Sequence, residues 1–130
     1  MNIKKEQYKD MIKQLSALLY NESDVIANLA NASALLFQTL DDISWVGFYI
    51  YKNDELVLGP FQGKVACMHI ALGRGVCGTC AHTKTIQRIA NVHEFPGHIA
   101  CDASSNSEIV LPIIKEDTVF GVLDIDSKSF

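Results

Sequence analysis

Four cysteines lie in the middle of the 130-residue chain: Cys67, Cys77, Cys80 and Cys101. Three chemistries compete for them. Cys77-x2-Cys80, followed by His98-x2-Cys101, has ligand spacing that a structural zinc ion would accept. Structural zinc usually compensates for a missing core, however. Buried cysteines also serve as inert small hydrophobes. The third chemistry is thiol redox exchange, in which one thiolate attacks an electrophile and a second thiol resolves the product. The turn-rich settings Gly75-Val-Cys77-Gly-Thr and His98-Ile-Ala-Cys101-Asp-Ala suit it, because such positions are accessible. Cys77 also falls at a predicted helix start, where the helix dipole lowers a thiol's pKa. His93 and His98 lie in the polar stretch 90–106 and read as hydrogen bonders that order a loop. Gly73-Arg-Gly-Val-Cys-Gly78 matches G-x-G-x-x-G, but too much chain precedes it and too little follows for a dinucleotide fold. Its glycines suit a tight strand-to-helix turn instead.

A second group of reactive residues emerges from the period of a strand, in which alternate side chains share a face. The final apolar run puts Phe120, Val122, Asp124 and Asp126 on one face. Glu108 lies in the run before it. In an earlier run Trp45, Gly47, Tyr49 and Tyr51 share a face, with Gly47 leaving a gap between two rings. Carboxylates this close suit a solvated strand end, or an acidic hollow with aromatic walls. Such a hollow would attract a cation, to which aromatic faces add ~0.5–2 kcal/mol. Crowded carboxylates cannot all ionise cheaply, so one would hold a proton near neutral pH and could act as a general acid.

The elements that must position these groups follow from hydrophobic periodicity. Residues 3–19 predict a helix with Tyr8, Met11, Ile12, Leu15, Leu18 and Leu19 on its apolar stripe. Ser23 reads as the N-cap of a second helix, which runs to about Leu40 and buries Val25, Ile26, Leu29, Ala32 and Leu36. Strands are predicted at 44–51 and 55–58, joined by Asn53-Asp54, with Gly59-Pro60 breaking the second. A short apolar run at 67–72 precedes a helix near 76–83 and a brief strand at 85–89. Strands at 107–114 and 118–126 close the chain around a tight turn. The order α-α-β-β-β-α-β-β-β, with hairpin-like links, is an α+β domain: a mostly antiparallel sheet with helices packed against it.

Bulk properties narrow the function classes. With 48% hydrophobic residues, one domain of this size can bury about two-thirds of its unfolded surface. The net charge of −4 argues against gripping nucleic acid. No apolar run supports a membrane span, and the charged start MNIKKEQYKD is not a secretory signal. A cytoplasmic setting is expected, with thiols reduced between reactions.

Long blocks of the chain resemble the free methionine-(R)-sulfoxide reductases, which are single-domain GAF proteins. These blocks are Trp45-Val-Gly-Phe-Tyr49, Gly59-Pro-Phe-Gln-Gly63, Gly73-Arg-Gly-Val-Cys-Gly-Thr79, Val92-His-Glu-Phe-Pro-Gly-His-Ile-Ala-Cys-Asp102, Ser105-Asn-Ser-Glu-Ile109 and Gly121-Val-Leu-Asp-Ile-Asp-Ser127. The resemblance implies a GAF-like fold: an antiparallel sheet with a helical layer on one face and a ligand pocket under loops on the other. It implies reduction of free L-methionine-(R)-sulfoxide with thioredoxin as reductant, and neither metal nor cofactor. By the same resemblance Cys101 is the nucleophile, Cys67 the resolving cysteine and Cys77 a third redox cysteine. Trp45 and Tyr49 surround the methyl sulfoxide end. Glu108, Asp124 and Asp126 hold the ammonium and sulfoxide region, and main-chain N–H groups at Ile99 and Ala100 hold the carboxylate. Cys80 departs from the family, which usually has a small residue there. Residues 1–130 are expected to form one GAF domain, without the terminal helix that relatives commonly carry after the position of Phe130. A homodimer is compatible with this reading. A binding or redox-sensing GAF module is the rival, but the cysteines together with three acids fit an anionic ligand poorly.

Overall fold

A computed structural model describes residues 3–97 and 105–130, with side chains from residue 5 onward. Its elements follow the expected order. Helices α1 (Ile3–Leu19) and α2 (Val25–Thr39) lead into the strands β1 (Ile43–Lys52), β2 (Glu55–Gln62) and β3 (His69–Ala71). Helix α3 (Gly75–Thr83), strand β4 (Gln87–Ile89), a 3-10 turn (Val92–Glu94), and strands β5 (Ser107–Lys115) and β6 (Thr118–Ser127) complete them. The six strands form one sheet in the order β3-β2-β1-β6-β5-β4, and every neighbouring pair is antiparallel. The fold is α+β, as the periodicity predicts.

Tight hairpins set the register. Asn53 and Asp54, and again Glu116 and Asp117, all have positive φ, between 53° and 64°. Two consecutive left-handed residues make the turn whose twist matches antiparallel strands, and Asn and Asp tolerate that conformation best. Gly59-Pro60 does not end the strand: β2 runs through to Gln62. The ladder to β1 slips between Gly47 and Tyr49, so the proline sits at a bulge, where its missing N–H breaks no regular bond.

Helix α2 packs on β1 and β2 from behind, and α1 packs on α2. Asp24, not Ser23, is the N-cap of α2, its carboxylate accepting from the Ala27 N–H at 2.9 Å. The buried face of α2 is Ala32, Ser33, Leu35 and Leu36, while Val25 and Ile26 are exposed. The Ser33 hydroxyl can donate to the carbonyls of Leu29 (2.8 Å) and Pro60 (3.2 Å), which pins the helix to the bulge. On α1 only Met11, Leu15 and Leu19 of the expected stripe are half-buried, and Tyr8, Ile12 and Leu18 stay exposed.

The main core lies on the other face of the sheet. Trp45, Tyr49, Leu56, Ile70, Val110, Val119 and Val122 pack against Val76, Cys77, Cys80 and Ala81 of α3. A bulge opposite Ile113 and Ile114 shifts the phase of β6, so Val119 rather than Phe120 joins this cluster. Gly47 is not a gap. A Cβ there would lie 2.2 Å from the Phe61 Cβ and 2.9 Å from the Trp45 ring, so the glycine permits close packing.

Candidate active site

The sheet register brings the acids together. Glu108 pairs with Asp126, and Asp126 pairs with Trp45 on its other side. Asp124 pairs with Val110 and with Gly47. Directly paired residues share a face, so three strands present Glu108, Asp124, Asp126, Trp45 and Tyr49 toward α3. These five line one hollow with Cys77, and Val65, Ala66, Ile70, Arg74 and Ser105 complete much of its wall.

The aromatic wall is rigid. Trp45 stacks on Phe61 at 5.1 Å and on Tyr49 at 6.0 Å between ring centroids. Its indole N–H donates to the Lys64 carbonyl at 3.0 Å, and the Tyr49 hydroxyl donates to the Cys67 carbonyl at 2.9 Å. Burial, then Cys77 and the three acids, push the Tyr49 phenol far above its usual range, so it remains a donor.

The floor is acidic and sealed. Asp124 is 5% exposed, and its Oδ1 has no hydrogen-bond partner among the described residues. Burial is the largest cause holding its carboxyl well above the ordinary carboxylate range, and the charges of Glu108 and Asp126 add to it. The Cys77 thiol donates to Glu108 Oε2 at 3.8 Å. One ligand atom each from Cys77, Glu108 and Asp124 lies within 4.8 Å of the others, close enough to share a proton or bridge a cation.

Cys77 corrects one expectation. It does stand in the first turn of α3, but it is buried, and its thiol is pushed well above the usual value. Desolvation is the main cause, followed by the charges of Asp124, Glu108 and Asp126. Dipole stabilisation of a thiolate is typically ~0.3–1 kcal/mol, too little to offset burial among carboxylates. Cys80 is fully buried, donates to the Val110 carbonyl at 3.6 Å and is raised to about 11 by burial. It behaves as a core hydrophobe and does not join Cys77's cluster of potential ligands.

Cys67 is disulfide-bonded, and it packs against the main core. Cys101, Ile99, Ala100 and His98 lie outside the described residues. His93 does order its loop, with its ring Nε2 2.8 Å from Asn106 Oδ1. Among the lining residues, sequence reasoning passed over Arg74 and Ser105. Among the described residues Arg74 is the only cation lining the hollow, and its place between Gly73 and Gly75 was the available signal. Nothing local marked the bonds from Trp45 and Tyr49 to the Lys64–Cys67 backbone.

An antiparallel sheet with helices behind it and a hollow under α3 and the neighbouring loops defines a class. The GAF domain family matches residues 14–130, and the chain belongs to it. The free methionine-R-sulfoxide reductase of Escherichia coli K12 is 56% identical over 127 residues, covering 98% of this chain and 77% of that protein. Its namesake from Saccharomyces cerevisiae is 45% identical, covering 96% and 74%. The structure of the Neisseria meningitidis free methionine-R-sulfoxide reductase, in complex with its substrate, superposes with a TM-score of 0.95. That protein is 40% identical, and the match covers 100% of this chain and 78% of that one. Within the GAF proteins, the chain belongs to the free methionine-R-sulfoxide reductase family. Among the described residues, no helix is long and apolar enough to cross a membrane.

Proposed function

We propose that this chain, as one GAF domain, reduces free L-methionine-(R)-sulfoxide to methionine, and that thioredoxin returns it to the thiol form in the cytoplasm. The observation that carries the reading is the sealed acidic floor beside an aromatic wall, in a chain of this family. Glu108 and Asp126 attract the substrate ammonium, and the rings of Trp45 and Tyr49 flank the methyl sulfoxide group. Main-chain N–H groups at Ile99 and Ala100 take the carboxylate. A residue within a peptide chain has neither free end, so the floor favours the free amino acid.

The Cys101 thiolate attacks the sulfoxide sulfur. Asp124, whose carboxyl burial holds well above the ordinary carboxylate range, gives a proton to the sulfoxide oxygen as its bond to the substrate sulfur breaks. The S–S bond formed by that attack breaks as the protonated oxygen passes from the substrate sulfur to the Cys101 sulfur, so methionine leaves with two more electrons and Cys101 becomes a sulfenic acid. Cys67 attacks that sulfur, releasing water and forming a disulfide. Thioredoxin reduces the disulfide by exchange. Cys77 serves the floor as a proton-bearing thiol in the resting protein.

The test supplies racemic free methionine sulfoxide with a thioredoxin system and follows each epimer chromatographically. Only the R epimer should disappear. Cys101→Ser should abolish turnover, and Cys67→Ser should release about one methionine per chain and then stall. Full activity of Cys101→Ser, or equal loss of both epimers, would reject the reading.

A further inference from the structure

We propose that the segment Lys64–Met68 is the docking surface for the protein dithiol of thioredoxin type that reduces this chain. The inference rests on the reductase reading above and adds where the partner sits. Cys67 is in a disulfide and sits within this segment. Thiol–disulfide exchange requires the attacking thiolate to approach a disulfide sulfur. A protein that attacks Cys67 must therefore cover the residues on either side of it.

Two of the segment's residues are apolar and open, while Ala66 and Cys67 between them are partly buried. Val65 is 88% exposed and Met68 is 69% exposed. Neither exposure comes from a frayed backbone. The Trp45 indole N–H holds the Lys64 carbonyl, the Tyr49 hydroxyl holds the Cys67 carbonyl, and the Leu58 N–H holds the Met68 carbonyl at 2.9 Å. The segment lies between β2 and β3 without being helix or strand, yet three bonds from buried or paired elements fix its shape. A preorganised surface loses little freedom on association. Methionine is the most adaptable apolar contact residue, and a small apolar patch suits a brief encounter better than a permanent one. The patch also adjoins the aromatic wall of the hollow, so the reductant would meet the chain beside the chemistry it must reset.

The exchange balances with the partner as two-electron donor. One partner thiolate attacks the Cys67 sulfur, forming an intermolecular disulfide and freeing Cys101 as a thiolate that takes up a proton. The partner's second thiolate then attacks its own bridged sulfur. Cys67 leaves as a thiolate and is protonated, and the partner departs as a disulfide.

The experiment compares two reductants on the full chain: thioredoxin with its reductase, and dithiothreitol, which needs no docking surface. Met68→Asp should raise the KM for thioredoxin tenfold or more while changing turnover driven by dithiothreitol less than twofold. Val65 also lines the hollow, so Val65→Asp is judged by the ratio of thioredoxin-driven to dithiothreitol-driven turnover, which should fall fivefold or more. Ile114→Asp, at an exposed apolar position of β5, should leave that ratio unchanged. An unchanged ratio in both Met68→Asp and Val65→Asp overturns the proposal. So does wild-type turnover with dithiothreitol but none with thioredoxin. Wild-type protein that is inactive with both reductants would instead reject the reductase reading.

Discussion

The two faces of the sheet break the ordinary burial pattern in opposite directions. On the front, under α3, a carboxyl group and a thiol are sealed among aromatic and aliphatic side chains. On the back, α1 and the first turn of α2 leave Tyr8, Ile12, Val25 and Ile26 in solvent. The two departures differ in cost. Scattered exposed apolar residues are normal in folded proteins, whereas a sealed carboxyl with an oxygen unpaired among the described residues opposes folding. A chain keeps such a destabilising group where chemistry needs it. The front is therefore where stability has been exchanged for reactivity, and the back is scaffold.

Asp124→Asn should separate those two roles most sharply. If Asp124 gives its proton to the sulfoxide, the amide should lower kcat by ~10²–10⁴-fold, the usual contribution of a general acid. Stability should move the other way. The carboxyl is raised above its ordinary value of 3.8, so between that pH and its folded pKa the native state holds a proton that the unfolded chain has released. Its stabilising contribution is complete below 3.8 and is lost as pH rises through that window. The thermal advantage of Asp124→Asn over wild type should then grow from pH 4 to pH 7 in paired melting curves. A variant less stable at pH 7, or equally active, would remove the distinction between the faces.

Gly78→Ala probes the front by shape rather than charge. Within a helix, alanine is favoured over glycine by ~1 kcal/mol. Here its Cβ would lie 2.5 Å from the Ala71 carbonyl oxygen and 3.2 Å from the Gly73 N. Both are backbone atoms and neither can swing aside, so overpacking of ~1–3 kcal/mol should prevail over propensity. Because α3 carries Cys77 into the hollow, the melting temperature and kcat/KM should fall together. A rise in melting temperature would mean that α3 moves freely against β3.

The same contrast separates what could be read from the residues and what could not. Alternation located β1 and β6 to within a residue or two and put Asp124 beside Asp126, because period two is a local property of the chain. The convergence of Glu108 with them needed only the β5–β6 hairpin, which the turn at Lys115–Asp117 announced. Gly59-Pro60 misled because its local preference is to end a strand, whereas the bulge that accommodates it depends on β1. Cys77 misled for a similar reason. The helix dipole is visible in the sequence, but the carboxylates that oppose it come from strands thirty or more residues away. The roles of Cys67 and Cys101 came from family resemblance, since spacing alone also allowed zinc or inert thiols. Ser23 and Asp24 are both capping residue types, and only the backbone geometry chose between them.

That last choice supplies the mildest test, on the back face. Asp24→Ala removes the carboxylate that accepts from the Ala27 N–H at 2.9 Å and leaves one first-turn donor of α2 to water. Loss of an N-cap typically costs ~1 kcal/mol. Ser23→Ala should cost much less, because Ser23 caps nothing. Chemical denaturation should resolve the two, with a lower midpoint for Asp24→Ala and nearly unchanged slopes. Neither should alter kcat or KM, since α2 meets the sheet through Ala32–Leu36, on the side away from the hollow. A change in kcat for Asp24→Ala without loss of stability would show that the back of the sheet is coupled to the front and is more than scaffold.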